Sequence, residues 1–174
     1  DKLNYLNLNN SDKIIVQKGI TIFNDLNVID KDIFFKEGSV LILLGVNNIL
    51  GQNRRINISG QGMLVQLNGQ INLENVQFNN LKNIKLDGLN WSGAINIINS
   101  HLIIDDVIIK NNIGEDSINI VGSDTTIENL TVINSQSDAI DLDFGKITFD
   151  KITCKNSGND CFDTSGSIVK GNIL

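Results

Sequence analysis

In the second half of the chain, apolar and polar residues alternate in short bursts that return at a fixed interval. Ile118-Asn119-Ile120 and Ile140-Asp141-Leu142 alternate with period two, the pattern of a strand with one buried face. The burst returns at Phe162-Asp163-Thr164, and one coil earlier at Ile95-Asn96-Ile97. Ile118, Ile140 and Phe162 are 22 residues apart, as are Asn119, Asp141 and Asp163; the step back to Asn96 is 23. Between the bursts lie second strands, Thr126–Val132 and Thr148–Cys154. Each ends in a polar corner, Asn134-Ser135 or Asn156-Ser157, with Asn111-Asn112 one turn before. A fixed interval of this length marks a repeat architecture in which each unit buries its apolar face against its neighbours. The prediction is an all-β, right-handed parallel β-helix of about 22–23 residues per coil. A leucine-rich repeat has similar length but needs a leucine consensus and a helical back, where these coils have isoleucine and a second strand. Asparagines stacked at one corner are expected to bond side chain to side chain along the axis.

Before residue 88 the period loosens. Strands are predicted at Lys13–Val16, Ile20–Phe23, Val40–Leu44, Arg55–Ser59, Met63–Leu67 and Gln70–Leu73, with turns at Gly51 and Gly60-Gln61-Gly62. Asn80 to Asn111 spans 31 residues instead of 22, so residues 82–91 read as a loop insertion ending in Trp91. Loops thrown off one face of a solenoid often build its binding surface. Trp91 is a candidate sugar-stacking platform, with a buried anchor for the loop as the other reading. Residues 1–174 are expected to form a single β-helix domain or part of a longer one, because the chain opens at Asp1 and closes at Leu174 without recognisable caps.

Composition agrees with this picture. The 29 Ile favour strands and the 27 Asn favour turns, while proline is absent. No apolar run is long enough to span a membrane, and Asp1–Asn10 has neither the basic region nor the apolar core of a signal peptide. Residues 1–87 carry nine Lys/Arg against eight Asp/Glu; residues 88–174 carry five against twelve. This acidity argues against a nucleic-acid partner, which needs a basic face, and suits cations or neutral sugars. Cys154 and Cys161 are too few for a disulfide framework and read as one packed thiol and one turn thiol.

The acidic half also holds the candidate chemistry. With Ile140 and Leu142 inward, Asp141 and Asp143 point outward, and Asp163 lies one rung beyond Asp141. Asn119 and Asn96 continue that column the other way. Three readings stay open for the Asp141/Asp143/Asp163 patch. The acids could be ligands of a Ca²⁺ ion, which accepts several oxygens in loose geometry. They could be a catalytic set for glycoside hydrolysis, in which two carboxyls flank the scissile bond. They could be solvated decoration. Asn119, Trp91 and Lys146 are candidate substrate contacts, and Lys146, just after Gly145, is the cation expected to reach the patch. A second column, Asp116, Asp138 and Asp160, sits where each strand is entered, and a structural turn role is expected for it. His101 is expected at the surface or in a capping role.

Several of these segments resemble a known family. Gly114-Glu115-Asp116-Ser117-Ile118-Asn119-Ile120, Ser137-Asp138-Ala139-Ile140-Asp141-Leu142-Asp143-Phe144, Gly158-Asn159-Asp160 through Ser165-Gly166-Ser167, and Trp91-Ser92-Gly93-Ala94 look like bacterial right-handed parallel β-helix repeat proteins of the pectin-lyase-like superfamily. The resemblance covers roughly residues 38–174 and implies an extracytoplasmic protein: extracellular, periplasmic or on the cell surface. A fainter similarity reaches polygalacturonase-type glycoside hydrolases. In those, an Asn-Thr-Asp coil is followed one turn later by Asp-Asp-Cys; here Gln136-Ser137-Asp138 and Asn159-Asp160-Cys161 stand in the matching places. Asn159 replaces one of the paired acids, and an amide cannot donate a proton as a carboxylic acid does.

The expectation is a β-helix that binds or processes polysaccharide or a cell-surface glycan on its acidic face, with Ca²⁺ as a candidate cofactor. The alternatives are a non-catalytic structural or adhesive solenoid, and an active glycoside hydrolase or polysaccharide lyase.

Overall fold

A strand that is apolar on one face is stable only when that face is covered, and here each coil covers the next. A computed structural model describes residues 13–25, 28–89 and 91–171. It contains thirteen strands: β1 (Lys13–Val16), β2 (Gly19–Asn24), β3 (Asp32–Phe35), β4 (Ser39–Leu50), β5 (Ile56–Gly60), β6 (Met63–Asn79), β7 (Gly93–Lys110), β8 (Asp116–Val121), β9 (Asp124–Ser135), β10 (Asp138–Asp143), β11 (Lys146–Ser157), β12 (Phe162–Ser165) and β13 (Ile168–Gly171). Among the described residues there is no helix. The strands pair in parallel and build a β-solenoid of about 7 turns.

Each coil has three faces. The first is the ladder β2–β4–β6–β7–β8–β10–β12. The second runs through β4, β6, β7, β9, β11 and β13. The third runs through β1, β3, β5 and the far ends of β6, β7, β9 and β11. The sequence pattern shows only two strands per coil, because the long strands run on through the corner between the second and third faces with a single extra outward residue, as at Asp105-Asp106 between inward Ile104 and Val107. The corner residues explain the asparagine content. Asn68 and Asn99, Asn75 and Asp106, and Asn80, Asn111, Asn134 and Asn156 all take positive φ. Asparagine and aspartate tolerate this left-handed backbone because a short polar side chain bonds locally.

The inward side chains form one continuous core. On the first face Leu64, Ile95, Ile118 and Ile140 stack in register and are buried. The third face contributes Phe35, Ile58, Phe78, Ile109 and Val132. At the last asparagine corner the side chains form the expected ladder. Asn111 donates to Asn79 at 3.1 Å, Asn134 to Asn111 at 2.8 Å and Asn156 to Asn134 at 3.0 Å.

One expectation fails. Cys154 and Cys161 are not separate thiols but a disulfide, with Cα atoms 5.6 Å apart. The six residues between them carry the chain from the third face around the Asn156 corner to the start of β12. The two cysteines therefore face each other across that corner, within the span a disulfide bridges.

A second cluster lies outside the barrel of strands. Val40, Ile42, Met63 and Val65 point away from the core and are nevertheless buried, because Ile84, Leu86 and Trp91 pack on them. The segment between β6 and β7 is thus a roof over the early coils of the first face. A tight turn at Leu86–Leu89 reverses it, with the Leu89 N–H donating to the Leu86 carbonyl at 3.1 Å.

Candidate functional site

The outer surface of the first face changes character along the axis. One column runs Val65, Asn96, Asn119, Asp141, Asp163 in strict register. Asn96 is completely buried, Asn119 is 8% exposed, Asp141 is half-buried and Asp163 is exposed. The column beside it runs Leu67, Ile98, Val121, Asp143, Ser165. The roof covers the apolar end of these columns and stops at Trp91-Ser92-Gly93. Beyond it the acidic end is open.

Sequence reasoning separates the Asp116/Asp138 column from this strip; the structure joins them. Ser117 and Ile118 are both buried, as are Ala139 and Ile140 and, one coil earlier, Ala94 and Ile95. Two successive inward residues shift the alternation by one. That returns Asp116 and Asp138 to the side of Asn119 and Asp141. The small residue of each doublet (Ser117, Ala139, Ala94) is the sequence signal for this shift.

The two members of that column differ in use. Asp138 holds the coils together: one carboxylate oxygen accepts the Asp160 N–H at 2.8 Å and the Asn159 side-chain amide at 2.9 Å. Asp116 is 2% exposed, and its Oδ2 has no hydrogen-bond partner. Its carboxyl is hydrogen-bonded by Ser92, whose hydroxyl also accepts the Asn119 amide. Asn119 Oδ1 is likewise buried without a donor.

Burial and crowding of like charge govern the electrostatics. Desolvation, then the carboxylates of Asp116, Asp143, Asp163 and Asp138, push Asp141 up to about 7. Desolvation also pushes Asp116 up to about 6, reinforced by Glu115, Asp138 and Asp143 and partly opposed by Ser92. An acid in water-poor surroundings beside other acids keeps its proton because the charged form is poorly solvated and repelled. Asp141 is thus a proton donor close to neutrality.

The other candidates lie at varying distances from the strip. Trp91 is half-buried against the outer apolar cluster at the end of the roof. Lys146 is exposed on the second face, between Asp124 and Ile168 in the ladder that also contains His101. Arg54 pairs with Asp32 at 2.5 Å and Arg55 with Asp106 at 2.5 Å, both away from the first face. Among the described residues no three Asp, Glu, His or Cys side chains converge to hold a metal ion. A shallow groove of about 1010 Å³ lies elsewhere, lined by residues such as Phe34, Lys36, Ser59 and Gln61. Its lining offers no set of acids, and the chemistry stays with the open strip.

One residue of the strip escapes sequence reasoning. Phe144 follows Asp143 at the corner between the first and second faces, with φ 54° and 73% exposure. The coils on either side place glycine at this corner, Gly122 and Gly166, both also at positive φ. The 22-residue spacing of Gly122, Phe144 and Gly166 is the signal that marks it. Comparison with known proteins adds no relative: no family model, no curated protein and no solved structure matches the chain.

Proposed function

We propose that this β-solenoid binds or processes polysaccharide along the outward strip Asn119, Asp141, Asp143 and Asp163. The observation that carries the reading is the register pairing of Asp141 with Asp163, with Asp141 retaining its proton to about 7. Paired strands lie ~4.8 Å apart, a scale compatible with two carboxyls flanking one glycosidic bond. In such a pair the protonated member gives its proton to the leaving oxygen, and the ionised member acts on the opposite side of the sugar. An open strip rather than a closed pocket suits a long chain lying along the axis. The disulfide favours an oxidising compartment, in line with the extracytoplasmic location that the resemblance to pectin-lyase-like repeat proteins implies.

The test is release of reducing ends from a panel of polysaccharides, together with binding to the same panel. Activity or binding is expected in the parent chain and is expected to fall in Asp141→Asn and Asp163→Asn. Full retention in both variants would falsify the assignment of the strip.

A structural or adhesive solenoid is the second reading. Asp138 favours it, because that carboxylate is already consumed in joining two coils. It predicts no glycan binding at all.

A further inference from the structure

The roof ends at Ser92, and Ser92 ties it to the acidic half of the first face. The Asp116 N–H donates to the Ser92 carbonyl at 3.4 Å. The Ser92 hydroxyl bonds the Asp116 carboxyl and accepts the Asn119 side-chain amide. Before Asp116 in its column stands Gly93, which has no side chain to hold Asn119 away: an added Cβ would come within 2.9 Å of the Asn119 Cβ. Asn119 and Asp116 thus both close on the same hydroxyl.

Two atoms of this junction are left over. Asp116 Oδ2 and Asn119 Oδ1 are buried without a hydrogen-bond partner, and their residues are 2% and 8% exposed. Both are acceptors while Asp116 is ionised, so neither can satisfy the other, and buried acceptors without donors are costly. A protonated carboxyl changes the count, because it donates as well as accepts.

We propose that a proton on Asp116 closes this junction as a ring of hydrogen bonds, Asn119 amide to Ser92 hydroxyl, Ser92 hydroxyl to Asp116, and Asp116 Oδ2–H to Asn119 Oδ1, and that its loss releases the end of the roof. Without the proton a carboxylate stands buried beside an amide oxygen, and water reaches it from the Ser92 side. On the other side its register neighbour Asp138 is already engaged with Asp160 and Asn159. Lifting Ser92 hydrates the charge and draws Trp91 off the cluster it packs on.

The surroundings of Asp116 favour the proton. Burial is the main cause; Glu115 in the preceding turn and Asp138 and Asp143 on β10 add like charge, and against the pull of Ser92 the carboxyl is pushed up to about 6. Asp141, also on β10, is coupled to it. β7 brings Gly93 and Asn96 alongside, both uncharged, and the charged residues of the roof, Lys82, Lys85 and Asp87, lie earlier in that segment. The latch therefore has one direction: the roof is held while Asp116 is neutral and released as it ionises.

Trp91 is the only tryptophan, so its fluorescence reads the roof. Acrylamide quenching of the parent chain is expected to rise about twofold from pH 5 to pH 8, with a midpoint near 6. Asp116→Asn offers Asn119 an amide donor at every pH, and its quenching is expected to stay at the pH 5 level throughout. Ser92→Ala removes the bridge and is expected to show the pH 8 level already at pH 5. Asp141→Asn, whose carboxyl is outside the ring, is expected to keep the transition. A parent chain whose quenching does not change with pH overturns the inference, as does a transition that persists in Asp116→Asn. Should Asp116→Asn fail to fold, a parent-like transition in Ser92→Ala overturns it instead. Loss of the transition in Asp141→Asn would move the switch to the open strip and overturns it equally. No glycan enters these measurements, so the latch stands or falls apart from the carbohydrate reading.

Discussion

Asp116 and Asp141 stand on neighbouring coils in different columns, and the charge on Asp116 is nevertheless the strongest acting on Asp141. The coupling has a consequence for stability. Both carboxyls are raised above the ordinary value of 3.8, to about 6 and about 7. Between about pH 4 and pH 7 the folded chain therefore holds protons that the unfolded chain has released. Linkage then makes stability fall as pH rises through this window. Asp32 works in the opposite sense. Burial would raise it, but Arg54 and the Asn57 N–H outweigh burial and lower it, so its contribution is lost on acidification. The expected outcome is a higher melting temperature at pH 5 than at pH 8 for the parent chain. The difference should shrink in Asp141→Asn, which has no charge to repel. A melting temperature that instead rises steadily from pH 5 to pH 8 would contradict the raised pair.

The asparagine ladder makes a separable prediction. Asn134 accepts from Asn156 and donates to Asn111, and its backbone has φ 58°. Replacement by glycine keeps the backbone and removes the ladder bonds, a loss of about 1 kcal/mol. Replacement by alanine adds the left-handed penalty of roughly 1–2 kcal/mol. Chemical denaturation should therefore rank the parent chain above Asn134→Gly and Asn134→Gly above Asn134→Ala. If glycine and alanine are equivalent, the corner conformation is not what selects asparagine.

These two sites mark what could be read in advance. The 22-residue register exposed the inward column Ile118, Ile140, Phe162, the outward column Asn119, Asp141, Asp163, and the ladder Asn111, Asn134, Asn156. Each depends only on a position recurring from coil to coil. The third face was not legible, because a corner such as Asp106 adds only one outward residue between inward Ile104 and Val107, so one bent strand reads as one straight strand. Asp116 does stand at the entry of β8, but the side it faces was not legible, because parity there depends on Ser117 and Ile118 both turning inward, which strict alternation does not foresee. The cysteine pair was missed because a spacing of seven carries no disulfide signal; only the path around the Asn156 corner brings Cys154 to Cys161.

The disulfide ties the end of β11 to the entry of β12, the strand that carries Asp163. Its loss should therefore affect the strip as well as stability. Opening so short a loop costs about 2–3 kcal/mol in the chain-entropy description. Free-thiol titration of the native chain should find no reactive thiol before reduction. After reduction, or in a Cys154→Ser/Cys161→Ser double variant, the melting temperature is expected to drop. Glycan binding should weaken beyond what Asp163→Asn alone removes. Two titratable thiols in the purified, unreduced protein would show that the bond is not part of the native state.

Trp91 offers the sharpest separation of anchor from platform. Its ring packs with Ile84 and Leu86 on Val40, Ile42, Met63 and Val65, a cluster that would otherwise present an apolar patch to water. Truncation should therefore act through the roof. Trp91→Ala is expected to cost roughly 2 kcal/mol, less than the ~3–5 kcal/mol of a fully buried aromatic because Trp91 is only half-buried. Trp91→Phe should recover most of it. Neighbouring Ser92 holds Asn119 and Asp116, so a loosened roof also frees the Asn119 amide and lets water reach the Asp116 carboxyl. The proton on Asp116, held chiefly by desolvation, would then be held less tightly, and the fall in stability between pH 5 and pH 8 should flatten in Trp91→Ala. A variant with unchanged stability but lost glycan binding would instead make Trp91 a stacking platform for the sugar.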